Sequence, residues 1–362
     1  MNRIRTATTI TTLGLVALMM AGCASGASSA SEATSTGAAA PSVDELRLGY
    51  FANVTHAPAL VGLQEGIFEK DLGDVKVSTQ VFNAGPAAIE ALTAGAIDAT
   101  YIGPNPSINT FIQSAGKSAR VISGAATGGA ALVVADDIKS ADDLKGTTLA
   151  SPQLGNTQDV ALRTWLADEG YKTDTSGGGD VHITPTENAQ TLTLFQQGAI
   201  QGAWVPEPWV SRLVIDGGGH VLQDEADLWP DGEFPTTVLL VRAEFLKDHP
   251  DVVKNLLQAN VDSVQWIADN PDQVADVVNA QLTADTGKAL SDEVIDRALE
   301  HVSFSVDPHA DTFQTLVENG LAAGTQKDGS IKGLFDLRLL NGILKDAGQD
   351  TVSAAGLGED KP

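Results

Sequence analysis

Five short stretches place small or hydrogen-bonding side chains where an extended run gives way to a helical one: 53–56, 83–86, 103–106, 155–158 and 205–209. The start of a helix leaves backbone N–H groups unsatisfied and carries a partial positive charge, so it holds a small anion without any cationic side chain. Lys and Arg are absent from all five stretches. Taken singly, each loop is more often a connection than a site. In open α/β sheets, however, the loops that follow strands emerge together along the carboxyl edge, where ligands bind.

Other chemistry is hard to find. The six histidines never bracket a glutamate at i,i+4, and no G-x-S-x-G elbow occurs. Gly116-Lys117-Ser118 matches only the tail of a phosphate loop, with Phe111 where the first glycine is needed, and reads as a helix-ending turn. No cofactor and no metal site is expected.

The elements that must position the loops are organised by a repeat. GAIDATYIGPNP from Gly95 returns as GAIQGAWVPEPW from Gly198, and the same separation of 103 residues lays VSTQVFNAGPAAIEAL over DVHITPTENAQTLTLF. Each copy reads as helix, strand, site loop. The stretch 46–122 alternates strand and helix with short connections, the signature of a mostly parallel sheet, and 149–205 is a shorter version of it. Residues 123–130 read as a loop of small residues. From 236 a strand gives way to helices that pack around the first lobe. The expected domains are lobe 1 at 46–132 and 236–350, lobe 2 at 133–235, and a C-terminal tail at 351–362. The fold class is α/β, two doubly wound mixed sheets joined by a two-stranded hinge near 130–134 and 235–238.

Ahead of this body, Arg3 and Arg5 precede an apolar run at 10–20, so 1–22 reads as a signal peptide. Met20-Ala21-Gly22-Cys23 resembles a lipobox that would lipidate Cys23, the only cysteine of the chain. Residues 23–45 read as a flexible tether to a membrane. The formal charge of −25 repels nucleic acid, which is not an expected partner.

THAPALVGLQEGIFEK, VFNAGPAAIEALTAGAIDATYIGPNP, DLKGTTLASPQLGNTQDVALRTWL, GAIQGAWVPEPW and LLVRAEFLKDHPDVV together resemble the solute-binding lipoproteins of ABC importers in the nitrate, taurine and alkanesulfonate group. The resemblance implies a two-lobed, type II periplasmic-binding-protein fold that closes on its ligand and docks on a permease with its ATPase. It further implies a monomer, anchored by lipid at the cell surface or in the periplasm. Ligand contacts carried over from the group would be Asn53, Thr55, His56, Gly85, Pro86, Gly103 and Asn105, with Ser123 and Gly124, in lobe 1. In lobe 2 they would be Gly155, Asn156 and Thr157, with Trp204, Glu207 and Trp209 walling the cleft. Trp204 lies on a strand and reads equally well as core. Glu207 is poor company for a bare anion. It could bind the ammonium of a zwitterion such as taurine, pair with Arg163 or Arg212, or face solvent, and the internal role ranks first. The expected ligand is an aliphatic sulfonate, taurine or nitrate. Alternatives are a pyrimidine thiamine precursor or riboflavin, and, from another class, an enzyme using a cleft carboxylate on the same fold.

Overall fold

The computed structural model describes residues 43–362. The signal peptide, Cys23 and nearly all of the tether lie outside the described residues.

The chain begins with β1 (Glu45–Phe51), α1 (Ala57–Gln64), α2 (Ile67–Leu72), β2 (Lys76–Phe82), α3 (Gly85–Thr93), β3 (Ala99–Ile102), α4 (Pro104–Gln113) and β4 (Ala119–Gly128). It then crosses at Gly128 and Gly129, both at positive φ, into β5 (Ala130–Val134) of a second sheet. There follow β6 (Thr148–Ser151), α5 (Thr157–Asp168), β7 (His182–Pro185), α6 (Asn188–Gln196), β8 (Gly202–Pro206), α7 (Trp209–Ile215) and β9 (His220–Asp224). After a return crossing at 225–234 come β10 (Pro235–Arg242), α8 (Ala243–Asp248), α9 (Pro250–Asp269), α10 (Val274–Thr286), α11 (Asp292–Glu300), β11 (Val302–Phe304), α12 (Phe313–Ala322), β12 (Phe335–Asp336), α13 (Arg338–Asp346) and β13 (Gly358–Glu359).

The first sheet runs β13-β12-β4-β10-β3-β1-β2, with β11 beside β4; the second runs β7-β6-β8-β5-β9. In the first, β2, β1 and β3 are parallel and β10 turns antiparallel against β3 and β4. The second repeats this with β7, β6 and β8 parallel and β5 antiparallel to β8 and β9. The repeat seen in the sequence is therefore a repeat of strand order, and α3 and α6 correspond residue for residue at the same separation. Both chain crossings are present, so the fold is the two-lobed α/β arrangement.

Alternation explains the burial. On β5, Leu132 and Val134 join Trp165 and Trp204 in one core, while Ala131 and Val133 join Phe195 and Val205 in another on the opposite face. The larger core lies around the first sheet, with Leu48, Phe68, Tyr101, Leu240 and Leu257 all fully buried. Helix α1 fills that side by packing on α9 and α10.

One expectation needs correction. The small residues at 123–128 are not a loop. They extend β4, because β10 pairs along nearly its whole length and residues 305–307 cross directly over it. A Cβ at Gly124 would stand 2.1 Å from the Asp307 carbonyl oxygen, so only glycine fits there. At the C-terminal tail, Ala354 is buried and β13 pairs with β12.

Candidate functional site

All five loops meet. A small inner cavity of about 20 Å³ lies between the two sheets, lined by Asn53, Thr55, His56, Gly85, Gly103, Pro106, Asn156, Thr157 and Pro206, with Phe51, Gln158 and Thr236. That volume is about one water-sized probe. Nothing in the lining carries a charge, because His56 is neutral: burial pushes its imidazole down to about 3. The Phe51 N–H donates to His56 Nδ1 at 3.3 Å, which leaves the ring proton on Nε2 as a neutral donor.

Local sequence explains the placement. Asn156 caps α5, its Oδ1 accepting the Asp159 N–H at 2.8 Å, so the first turn of α5 begins at the cavity. Gly155 allows the preceding turn at φ +77°, and its N–H donates to Asp159 Oδ2 at 2.9 Å; it shapes the loop without lining the cavity. Asp159 is neutralised internally by Arg163 at 3.0 Å, both residues being buried. Gly103 precedes α4 from the opposite side. A Cβ on it would meet Thr157 Oγ1 at 2.4 Å, so the close approach of the two halves depends on this glycine. Asn53 and Asn156, and likewise Gly103 and Pro206, are separated by 103 residues and line the same cavity: the site is built twice from one pattern.

The remaining expected residues fall elsewhere. Pro86 sits in the first turn of α3, half-buried, outside the cavity lining. Ser123 and Gly124 lie inside β4, where the Ser123 hydroxyl accepts from Asn260 Nδ2 at 3.0 Å and donates to the Gly124 carbonyl at 2.8 Å. Trp204 belongs to the core of the second lobe, against Trp165, with its Nε1 donating to Glu225 at 2.7 Å. Asn105 is fully buried and lines a neighbouring cavity rather than this one.

Glu207 is neither exposed nor free. It is 1% exposed, accepts the Ser211 N–H at 3.0 Å within the first turn of α7, and pairs with Arg297 at 3.0 Å. The sequence favours an internal ion pair with Arg163 or Arg212, but the partner comes from α11, 90 residues away. Arg163 and Arg212 are engaged instead by Asp159 and Asp216. Burial raises the Glu207 carboxyl despite the arginine.

Glu207 and Arg297 also tie one half to the other, as do further contacts: Arg297 Nη1 donates to Ser211 Oγ at 2.9 Å, Trp209 Nε1 to Asn53 Oδ1 at 2.9 Å, Asn83 Nδ2 to Glu187 at 2.8 Å, Thr164 Oγ1 to the Asn319 carbonyl at 3.4 Å, and the Thr55 N–H to the Glu207 carbonyl at 3.5 Å. Outside the Trp209–Asn53 contact the cleft widens into a cavity of about 410 Å³, where Arg212 stacks over Trp209 at 4.7 Å and Lys288 adds a second cation.

Fold and site together define a two-lobed binding protein of the periplasmic type, its cavity closed between the lobes. The chain belongs to the NMT1-like family, which matches residues 39–282. A protein of Brucella abortus that carries the name putative binding protein is 28% identical over 261 residues, covering 68% of this chain and 77% of that one. The taurine-binding periplasmic protein of Escherichia coli is 29% identical over 215 residues, covering 59% and 64% respectively. Among solved structures, the alkanesulfonate-binding protein SsuA from Xanthomonas axonopodis pv. citri, bound to MOPS, superimposes with a TM-score of 0.66 at 20% identity, over 79% of this chain and 95% of that one.

Proposed function

We propose that the chain is the extracytoplasmic solute-binding subunit of an ABC importer, and that its inner cavity captures the oxyanion headgroup of an aliphatic sulfonate or taurine, or nitrate. The observation that carries this reading is the convergence of five loops, with the first turns of α3, α4 and α5, on a cavity lined by uncharged residues. Sulfonate and nitrate are weak bases that stay anionic at physiological pH. Neutral N–H and O–H donors suffice for them. The taurine-binding relative supports the ligand class. A larger ligand enters only when the halves separate, so the hinge at 128–130 and 225–235 opens the cleft and ligand contacts to both halves favour closure. The lipid on Cys23 holds the body at the membrane, where the closed form meets a permease.

The role is binding rather than catalysis. The single titratable side chain lining the inner cavity, His56, is held neutral, and the carboxylate of Glu207 is consumed by Arg297 and the start of α7. A thermal-shift screen with taurine, ethanesulfonate, nitrate and riboflavin tests the reading. Sulfonates or nitrate should raise the melting temperature, and a shift with riboflavin alone would overturn the ligand class.

A further inference from the structure

A second cavity, about 210 Å³, lies on the hinge side of Thr157, which lines both. Its walls come from Asn105 at the start of α4, from α5, from the return crossing that carries Glu225 and Trp229, and from α12. Its chemistry is the opposite of the inner cavity's. No lysine or arginine lines it, whereas Glu225 and Asp168 do.

Its polar groups await a donor. Asn105 is fully buried; its Nδ2 donates to the Leu316 carbonyl at 3.2 Å, which fixes the amide and leaves Oδ1 as a buried acceptor with no partner. Thr157 Oγ1 is also buried without a partner. Glu225 is 2% exposed and accepts from Trp204 Nε1 at 2.7 Å, with the Trp229 indole as a second donor toward it. No cation stands beside it among the described residues; burial therefore drives its carboxyl up to about 7, with Asp224 adding repulsion. A positive group placed there would relieve both penalties. The indoles of Trp165 and Trp229 complete the wall with surfaces that attract cations.

We propose that this hinge-side cavity is the subsite for the amine end of the ligand, an ammonium received by Asn105 Oδ1 and the Glu225 carboxylate. The inference rests on the oxyanion reading above and narrows it: the solute is a zwitterion, a short amino sulfonate, anionic in the inner cavity and cationic beyond Thr157. The carboxylate that receives the ammonium is then Glu225, since Glu207 is already paired.

Calorimetric titration of the full chain with taurine, 3-aminopropanesulfonate and ethanesulfonate tests this. At least one amino sulfonate should bind about tenfold or more tighter than ethanesulfonate. Glu225→Gln should abolish most of that ratio while leaving ethanesulfonate affinity within about twofold. Ala161→Met, which narrows the cavity from α5 without removing a polar group, should weaken the amino sulfonates selectively. Equal affinities for all three probes in the unaltered chain, or a preference that survives both variants, would overturn the amine subsite and leave the oxyanion reading standing. Failure of every sulfonate to bind would overturn the amine subsite, and failure of nitrate in the same titration would overturn the oxyanion reading as well.

Discussion

Glu207 and Arg297 show what a buried charge requires of its neighbours. Removing one partner leaves the other desolvated and uncompensated, whereas removing both costs far less. Arg297→Met is therefore expected to lower unfolding free energy by about 3 kcal/mol in a urea titration, and adding Glu207→Gln should recover a large part of it. If the double variant is no more stable than the single one, the pair is not coupled. Glu225 gives a pH test. Its folded carboxyl is raised from the ordinary 4.5 to about 7, so the folded state holds its proton more tightly than the unfolded chain does. Stability from this group is full below pH 4.5 and falls as pH rises from there through about 7, by about 3 kcal/mol. Glu225→Gln should remove that decline. A wild-type chain and a variant with parallel stability–pH curves between 4.5 and 8 would show that Glu225 titrates normally.

At the scale of the element, the start of α5 and the loop before α4 face each other. Asn156→Ala removes the cap and is expected to cost about 1 kcal/mol of stability. Gly103→Ala acts differently, since its methyl would collide with Thr157 only when the halves come together. It should reduce ligand affinity by about tenfold or more, the equivalent of about 1.4 kcal/mol, with little change in the melting temperature without ligand. Unchanged affinity would mean that the two loops do not approach this closely in the bound form. These elements were legible in advance because strand, loop and helix repeat with a fixed spacing, and the repeat survives as identical strand order and as α3 against α6. Burial and long-range pairing were not legible. The Tyr101 and Trp204 positions match in the repeat and both turn inward to the core, which an apolar strand cannot reveal by itself. Small residues at 123–128 looked like loop because the segment that crosses over them is more than 175 residues away. Nothing near Glu207 in sequence identified Arg297.

For the whole molecule, function rests on whether two lobes close around an oxyanion. Polar contacts across the seam are few: a cluster of Arg297 with Glu207 and Ser211 and of Thr55 with the Glu207 carbonyl, and the single pairs Trp209–Asn53, Asn83–Glu187 and Thr164–Asn319. Such a seam can open without disturbing either core. The most direct measurement is calorimetric titration of ethanesulfonate, taurine and nitrate into the purified chain, beside the same titration into the Asn156→Ala, Thr157→Ala double variant. Saturable one-to-one binding of an oxyanion, greatly weakened in a variant that still folds, is the expected result. Absence of binding by all three, or undiminished affinity in the double variant, would contradict the placement of an oxyanion at the convergence of these loops.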